Sequence, residues 1–366
     1  MPEGILMINV LVVEDSRVIK EYLVYLLESD PDLRVMGTAG DGEAALQFLA
    51  TRRPDVILMD IHMPGIDGIE ATRRIMSSNP VPIVVCTANT NCDEVGTAMR
   101  ALEAGALAVL KKPVGLGDPN AETEAATIIS TLKLMSEVKV VRRWNRAQVG
   151  TSLSSPAVVG PIALDSAVHD VAIVAIAAST GGPAALNRIL SELPRTFPVP
   201  ILMVQHISVG FGDGFVSFLN GNSSLRVKIA EDGEALVAGT VYLAGDNRHL
   251  GVSSRTSLQC SSESLIDGFR PSGTFLFESV AKVFGPSTLA LILTGMGRDG
   301  VTGLRAVKEA GGMVWAQDQN SSVVFGMPGA AIQEGQVDLV LPLEEIAPRL
   351  IKIIQGEGRR GSRMPF

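Results

Sequence analysis

Three short segments carry side chains whose types suit hydrolytic chemistry. Val171–Ala178 is an unbroken apolar run, and Ser179-Thr180-Gly181-Gly182-Pro183 follows it directly. Such a run, rich in β-branched residues, predicts a strand buried on both faces. Ser179 falls where that strand ends. The two glycines let the backbone turn sharply, and Pro183 suits the first turn of a helix running on to Leu193. A hydroxyl so placed can act as a nucleophile, with N–H groups of the turn close by for an oxyanion. The segment lacks Gly-x-Ser-x-Gly spacing, so a phosphate- or nucleotide-cradling turn or a plain tight turn also fits it. His206 follows a second strand-like run, Val199–Gln205. Gly295-Met296-Gly297-Arg298-Asp299-Gly300 follows a third, Ser287–Thr294. A parallel α/β sheet opens such loops on one edge. Ser179, His206 and Asp299 can therefore meet as nucleophile, base and orienting acid. The glycines around Met296 leave its N–H free to face an oxyanion. Asp318, after Gly312–Gln317, is the alternative orienting acid. His169 precedes the first strand and belongs to the opposite edge. His249 reads as part of a hairpin turn with a surface or substrate-contact role. Phe211–Phe215 reads as a rim loop or as the cap of the following helix.

A second set of polar groups sits in the first third of the chain. Apolar runs at 8–13, 55–60, 82–87 and 106–110 alternate with helical patterns at 16–29, 42–50, 68–78 and 93–104. That alternation predicts βαβ units around a parallel sheet. The strand ends bring Glu14, Asp15, Asp60, Thr87 and Lys112 into one crevice. Three carboxylates tolerate one another there when a hard cation such as Mg²⁺ joins them. Lys112 and Thr87 suit a phosphoryl group, and one carboxylate can accept phosphate. An ordinary flavodoxin-like domain with solvated acids is the plainer alternative. His62 reads as a solvated loop residue. Between the halves, 121–141 predicts a last helix with Ile128, Leu132, Met135 and Val138 on one face. Arg142, Arg143 and Arg146 followed by Gly150–Pro156 mark a linker.

At 366 residues the chain is long enough for two or three domains. A 46% hydrophobic and 19% charged composition is that of a globular protein. The net charge of -8 removes any electrostatic case for nucleic acid or an anionic membrane as main partner. Cys86, Cys92 and Cys260 have no metal-ligand spacing and are odd in number, which suits a reducing cytoplasm. No apolar run reaches the roughly 20 residues of a membrane span. Neither a signal peptide nor membrane insertion is expected.

Two resemblances join these readings. Residues 8–125 resemble the receiver domain of two-component response regulators, through Val13-Glu14-Asp15-Ser16, Met59-Asp60, Met63-Pro64-Gly65-Ile66-Asp67-Gly68, Thr87-Ala88 and Lys112-Pro113. The resemblance implies a flavodoxin-like (CheY-like) fold, Asp60 as phospho-acceptor, Glu14, Asp15 and Asp60 as Mg²⁺ ligands, and Thr87 and Lys112 as phosphoryl contacts. Val109 stands where receivers commonly carry an aromatic residue. Residues 169–356 resemble the chemotaxis protein-glutamate methylesterase domain, of Rossmann-like α/β parallel-sheet fold, with 126–168 as the last receiver helix region and linker. Ala178–Gly182, Gln205-His206, Arg270-Pro271-Ser272, Phe277–Ala281, Leu293–Gly297, Asp299-Gly300 and Gly326–Ala331 carry that match. It implies Ser179, His206 and Asp299 as triad, with Thr180 and the Met296 N–H as oxyanion support and no cofactor in that domain. Two segments depart from the family pattern. Ile207–Phe211 lacks the usual prolines, and Gly273-Thr274 replaces a bulkier pair, both expected to bear on receptor choice or gating without touching the triad. The expected protein is a cytoplasmic, phosphorylation-gated serine hydrolase. It demethylates receptor glutamate γ-methyl esters and deamidates receptor glutamine. Its expected partners are the cytoplasmic domains of chemoreceptors and a chemotaxis histidine kinase. A receptor-binding module without turnover and a nucleotide-binding domain are the competing readings.

Overall fold

A computed structural model describes residues 7–87, 92–113, 121–138, 140 and 170–355. His169, Ala88, the basic trio Arg142, Arg143 and Arg146, and the Gly150–Pro156 stretch lie outside them, as do the 141 and 356 ends of the expected helix and domain.

The N-terminal unit comprises β1 (Ile8–Val13), α1 (Arg17–Glu28), β2 (Leu33–Ala39), α2 (Gly42–Leu49), β3 (Val56–Asp60), α3 (Gly68–Ser78), β4 (Ile83–Thr87), α4 (Cys92–Ala104), β5 (Ala108–Lys111) and α5 (Ala121–Ser136). Its parallel sheet has the order β2-β1-β3-β4-β5. Alternate residues of β1 and β3 feed two cores, Leu11 and Ile57 on one face, Val10 and Leu58 on the other. β2 is absent from the sequence reading. It is an edge strand with Arg34, Gly37 and Thr38 interrupting its apolar residues, so it offers no continuous hydrophobic run. α5 ends at Ser136, short of the expected 141, with Val138 beyond it in non-helical chain. Ile128, Leu132 and Met135 are buried in the receiver core, so a boundary at 125 falls inside a helix that belongs to this unit.

The C-terminal unit comprises β6 (Ile173–Ala178), α6 (Gly182–Glu192), β7 (Ile201–Gln205), α7 (Gly212–Asn222), β8 (Arg226–Ile229), β9 (Thr240–Leu243), β10 (His249–Ser254), β11 (Ser257–Ser261), α8 (Gly273–Phe284), β12 (Thr288–Ile292), α9 (Val301–Glu309), β13 (Met313–Gln317), α10 (Met327–Gln333), β14 (Leu339–Leu341) and α11 (Leu343–Gln355). Its sheet runs β14-β13-β12-β6-β7-β9-β8 with parallel pairing throughout, and β10-β11 forms a separate antiparallel hairpin. The 245–248 turn joins β9 to β10, which belong to different sheets, so it is not a hairpin turn. His249 is fully buried there, stacked on Phe275, with Nε2 3.1 Å from the Ser264 carbonyl. That burial removes the expected surface role.

The two units touch. α4 lies against α6 and α7, and one apolar cluster runs from the receiver's Val95, Ala98 and Met99 to Leu186, Phe211 and Phe215. Phe211 and Phe215 begin α7 and are fully buried, so the Phe211–Phe215 stretch is a helix start. Asn187 Nδ2 donates to Glu103 Oε1 at 2.7 Å, and Ser208 Oγ to the Val109 carbonyl at 3.4 Å. Met296 and Val323 pack against the receiver's other core, the one α5 covers.

Candidate active site and phosphoryl crevice

Strand register decides which residues meet. Ala178 on β6 pairs with Gln205 on β7. The next residue on each strand, Ser179 and His206, therefore leaves the sheet at the same edge. Each is tied by its backbone. The Ser179 N–H donates to Thr294 O at 3.0 Å, and the His206 N–H to Ala178 O at 3.0 Å. Gln205 Nε2 donates to both Ser179 O and His206 O, at 2.9 and 2.8 Å. Because Ser179's own N–H is spent on Thr294, it is not available to an oxyanion. Among the described residues the Thr180 and Met296 N–H groups donate to no protein acceptor. The Met296 loop is held from behind, where Gly326 and Met327 N–H groups both bond Gly295 O. A Cβ on Gly326 would stand 2.7 Å from that oxygen, so only glycine permits the approach.

Asp299 completes the cluster from the loop after β12. Its carboxylate is 1% exposed and accepts from His206 Nε2 at 2.9 Å. It also accepts from Ser272 Oγ at 2.6 Å, Gly273 N–H at 2.6 Å and Thr274 N–H at 3.2 Å. Ser272 is the N-cap of α8, so the carboxylate sits at that helix's electropositive end. Burial pushes its pKa up, but the His206, Ser272 and Gly273 hydrogen bonds outweigh that and hold it below the usual aspartate value. The Gly273-Thr274 pair is thus buried against Asp299, in contact with the candidate triad that it was expected not to touch. A Cβ on Gly273 would approach Ala177 Cβ to 2.8 Å. Asp318 does not reach His206. It accepts from Ser321 N–H and Oγ at 3.0 and 2.5 Å and holds a local turn.

His206 presents its other nitrogen, Nδ1, buried and without a partner, and Ser179 Oγ likewise has none among the described residues. Phe269 lies flat on the imidazole, centroids 4.2 Å apart and planes 8° apart. Several supporting residues escaped the sequence reading. Ser272 carried an N-cap signal, since it directly precedes an apolar helical run. Gln205 stood beside His206 with no role. Gln317, whose Oε1 accepts from the Thr294 N–H at 2.9 Å, and Phe269 gave no local signal.

In the receiver, Glu14, Asp15 and Asp60 offer carboxylate oxygens within 4.8 Å of one another. Lys112 Nζ lies 2.7 Å from both Glu14 Oε2 and Asp60 Oδ2. Burial raises the Glu14 pKa, against the pull of the Lys112 hydrogen bond. Burial alone would lower the Lys112 pKa, but its bonds to Asp60 and Glu14 hold it above the usual lysine value. Thr87 is buried at the end of β4, beside Lys111 on β5. An oxygen-only, charge-rich donor set of this kind fits a hard divalent cation.

Comparison with known proteins agrees with this division. The family model described as CheB methylesterase matches residues 174–350, and that of the response regulator receiver domain matches 10–121. A protein-glutamate methylesterase/protein-glutamine glutaminase of Nitrosospira multiformis is 50% identical over 358 residues, covering 97% of this chain and all of its own. One from Myxococcus xanthus is 47% identical over 96% of this chain and 98% of its own. The crystal structure of the Thermotoga maritima CheB methylesterase catalytic domain is 41% identical over 50% of this chain and 98% of that one, with a TM-score of 0.49. Identity of this extent over nearly the full length of two relatives means that the chain belongs to the CheB methylesterase family, with a response regulator receiver domain ahead of its catalytic domain.

Proposed function

We propose that this protein is a phosphorylation-activated protein-glutamate methylesterase that also deamidates glutamine, acting on the cytoplasmic helices of chemoreceptors. The observation that carries the reading is the 2.9 Å His206 Nε2–Asp299 bond, which leaves Nδ1 unpartnered beside the strand end that bears Ser179. Asp299, a carboxylate by virtue of its hydrogen bonds, fixes the tautomer with the proton on Nε2. Nδ1 then takes the Ser179 Oγ proton as Oγ attacks the γ-ester carbonyl. The oxyanion formed is met by the Met296 N–H and Thr180. His206 returns the proton to the leaving methoxide, releasing methanol and an acyl-serine. A water, deprotonated by the same nitrogen, attacks the acyl carbon; the bond from that carbon to Ser179 Oγ breaks, Nδ1 returns the proton to Oγ, and the receptor side chain leaves as free glutamate. With a glutamine side chain the leaving group is ammonia and the remaining steps are the same.

Asp60 is the phospho-acceptor in this reading, with a histidine kinase as donor, and Glu14, Asp15 and Asp60 would hold Mg²⁺. Bound there, the cation neutralises charge on the incoming phosphoryl group. Lys112 is placed to exchange its carboxylate partners for phosphoryl oxygens, with the Thr87 hydroxyl beside it. Freed of Lys112, β5 can shift, and β5 carries the Val109 carbonyl that Ser208 contacts two residues beyond His206. The gate is thus a change in balance between docked and undocked units. Among the described residues no helix is long and apolar enough to cross a membrane, and a cytoplasmic location suits both partners. Methanol release from methylated receptor segments, with and without a small phosphodonor, tests the reading. Release should rise with the donor and vanish in Ser179→Ala; release that survives that substitution would refute it.

A further inference from the structure

We infer that Gln205 is a positioning residue for the hydrolysis, the side chain that sets Ser179 and His206 at a fixed separation. The inference rests on the hydrolase reading above and adds a residue to it.

Period-2 alternation along β7 sends Ile201 and Met203 into one core and Leu202 and Val204 into the other. Gln205 continues the Ile201–Met203 side and is 2% exposed, so an apolar residue is what the pleat calls for. The amide there is only half satisfied. Nε2 donates to Ser179 O at 2.9 Å and His206 O at 2.8 Å, while Oε1 is buried without a partner among the described residues. A stranded buried acceptor is destabilising. The orientation is not open to exchange, because turning the amide over would set Oε1 against two carbonyl oxygens. Gly182 makes room for it, since a Cβ there would lie 2.0 Å from Oε1. For stability alone, Met or Leu fills the same volume and removes the unpaired Oε1, at the cost of the donor that His206 O has among the described residues. What glutamine adds is two donors on one nitrogen, one to the backbone of the nucleophile and one to that of the base.

The remaining bonds show why that nitrogen matters. Thr294 O holds the Ser179 N–H from the β12 side, and Ala178 O holds the His206 N–H. Without Gln205 the Ser179 carbonyl keeps, among the described residues, only the Gly182 N–H, at 2.8 Å and within its own turn. Nothing else in this cluster of bonds reaches both carbonyls at once. A misplacement of about 1 Å between reacting groups lowers a rate on the order of 10²-fold.

The test uses the full chain with phosphodonor, a methylated receptor segment, and a fluorophosphonate probe that phosphonylates the active serine with loss of fluoride. In Gln205→Met, kcat and the rate constant for labelling Ser179 are both expected to fall about 100-fold. KM should stay within about threefold, and the final stoichiometry of labelling should equal that of wild type. The thermal midpoint is expected to change little, because removal of the stranded Oε1 offsets the donor that His206 O loses. Gln205→Glu, the same size but with at most one donor even where burial keeps it protonated, is a second variant with the same expected loss. A merely structural role would instead lower the labelled fraction and the midpoint while leaving kcat per labelled site unchanged, and that result overturns the inference. Wild type that the probe never labels overturns the hydrolase reading itself, a failure distinguishable from equal labelling rates in wild type and variant.

Discussion

Gly214 offers a direct way to part the two units without touching the candidate site. It lies in the first turn of α7, where that helix meets α4 of the receiver. A Cβ added there would stand 2.2 Å from Val95 Cβ and 2.4 Å from its Cγ1. Ordinary carbon–carbon contact is about 3.5–4.0 Å, so α4 and α7 must separate by roughly 1.5 Å to admit even alanine. Val95 is fully buried. Overpacking of this kind costs about 1–3 kcal/mol. At about 1.4 kcal/mol per tenfold, the docked form loses a factor of roughly 5 to 150 relative to the undocked one. The catalytic domain itself should not suffer, since alanine in place of glycine favours helix by about 0.5–1 kcal/mol.

Gly214→Ala is therefore expected to raise methanol release in the absence of phosphodonor, by up to that factor. The ceiling is the activity of the phosphorylated wild type. Release with phosphodonor should be unchanged. Val95→Gly removes the Cβ and both methyl groups that collide, so the double variant should return towards the wild-type response, with a coupling energy well above the scatter expected for independent sites. Unstimulated release that stays at the wild-type level in Gly214→Ala would refute the argument that this contact holds the closed form. A fall in both states would instead assign the clash to α7's own packing.

Four further outcomes follow from the two sites. Asp299→Asn should lower kcat by about 10³–10⁴-fold with little change in labelling stoichiometry, because the amide cannot fix the imidazole tautomer; initial-rate kinetics on methylated receptor segments check this. The same residue sets a pH dependence. Its folded-state pKa is depressed, so it contributes stability above the unfolded aspartate value and loses it as pH falls through the folded one. Thermal midpoints measured from pH 7 down to pH 3 should accordingly fall more steeply in wild type than in Asp299→Asn. In the receiver, Lys112→Ala should abolish stimulation by phosphodonor while unstimulated release persists. It should also destabilise that unit more at pH 8 than at pH 5, because the Glu14 carboxyl it leaves behind takes up a proton readily. Chelation of divalent cations should likewise remove the stimulation and spare unstimulated release.

The parts of this molecule legible in its sequence share one property. Each is written in consecutive residues. β6 and β12 announce themselves as apolar runs because a strand buried on both faces has no polar side to interrupt it, and Ser179 and Asp299 are found by standing in the loops that follow them. β2 is hidden for the converse reason, an edge strand with one wet face and a glycine within it. The supporting residues are hidden differently. Gln205 and Gln317 look, in sequence, like polar caps on strand ends, and nothing local says that one grips two carbonyls while the other holds the Thr294 N–H. Gly273-Thr274 is expected from sequence to leave the triad untouched, because nothing local links it to Asp299, 25 or more residues away. In space it starts α8, and the start of a helix is where a buried carboxylate finds donors. Interfaces are the least legible of all, since Gly214 reads as a flexible turn residue until Val95, from another domain, is laid against it. The chemistry is therefore carried by short segments, whereas its alignment and restraint depend on pairs far apart in the chain: Gln205 with Ser179, Asp299 with Ser272, and Gly214 with Val95.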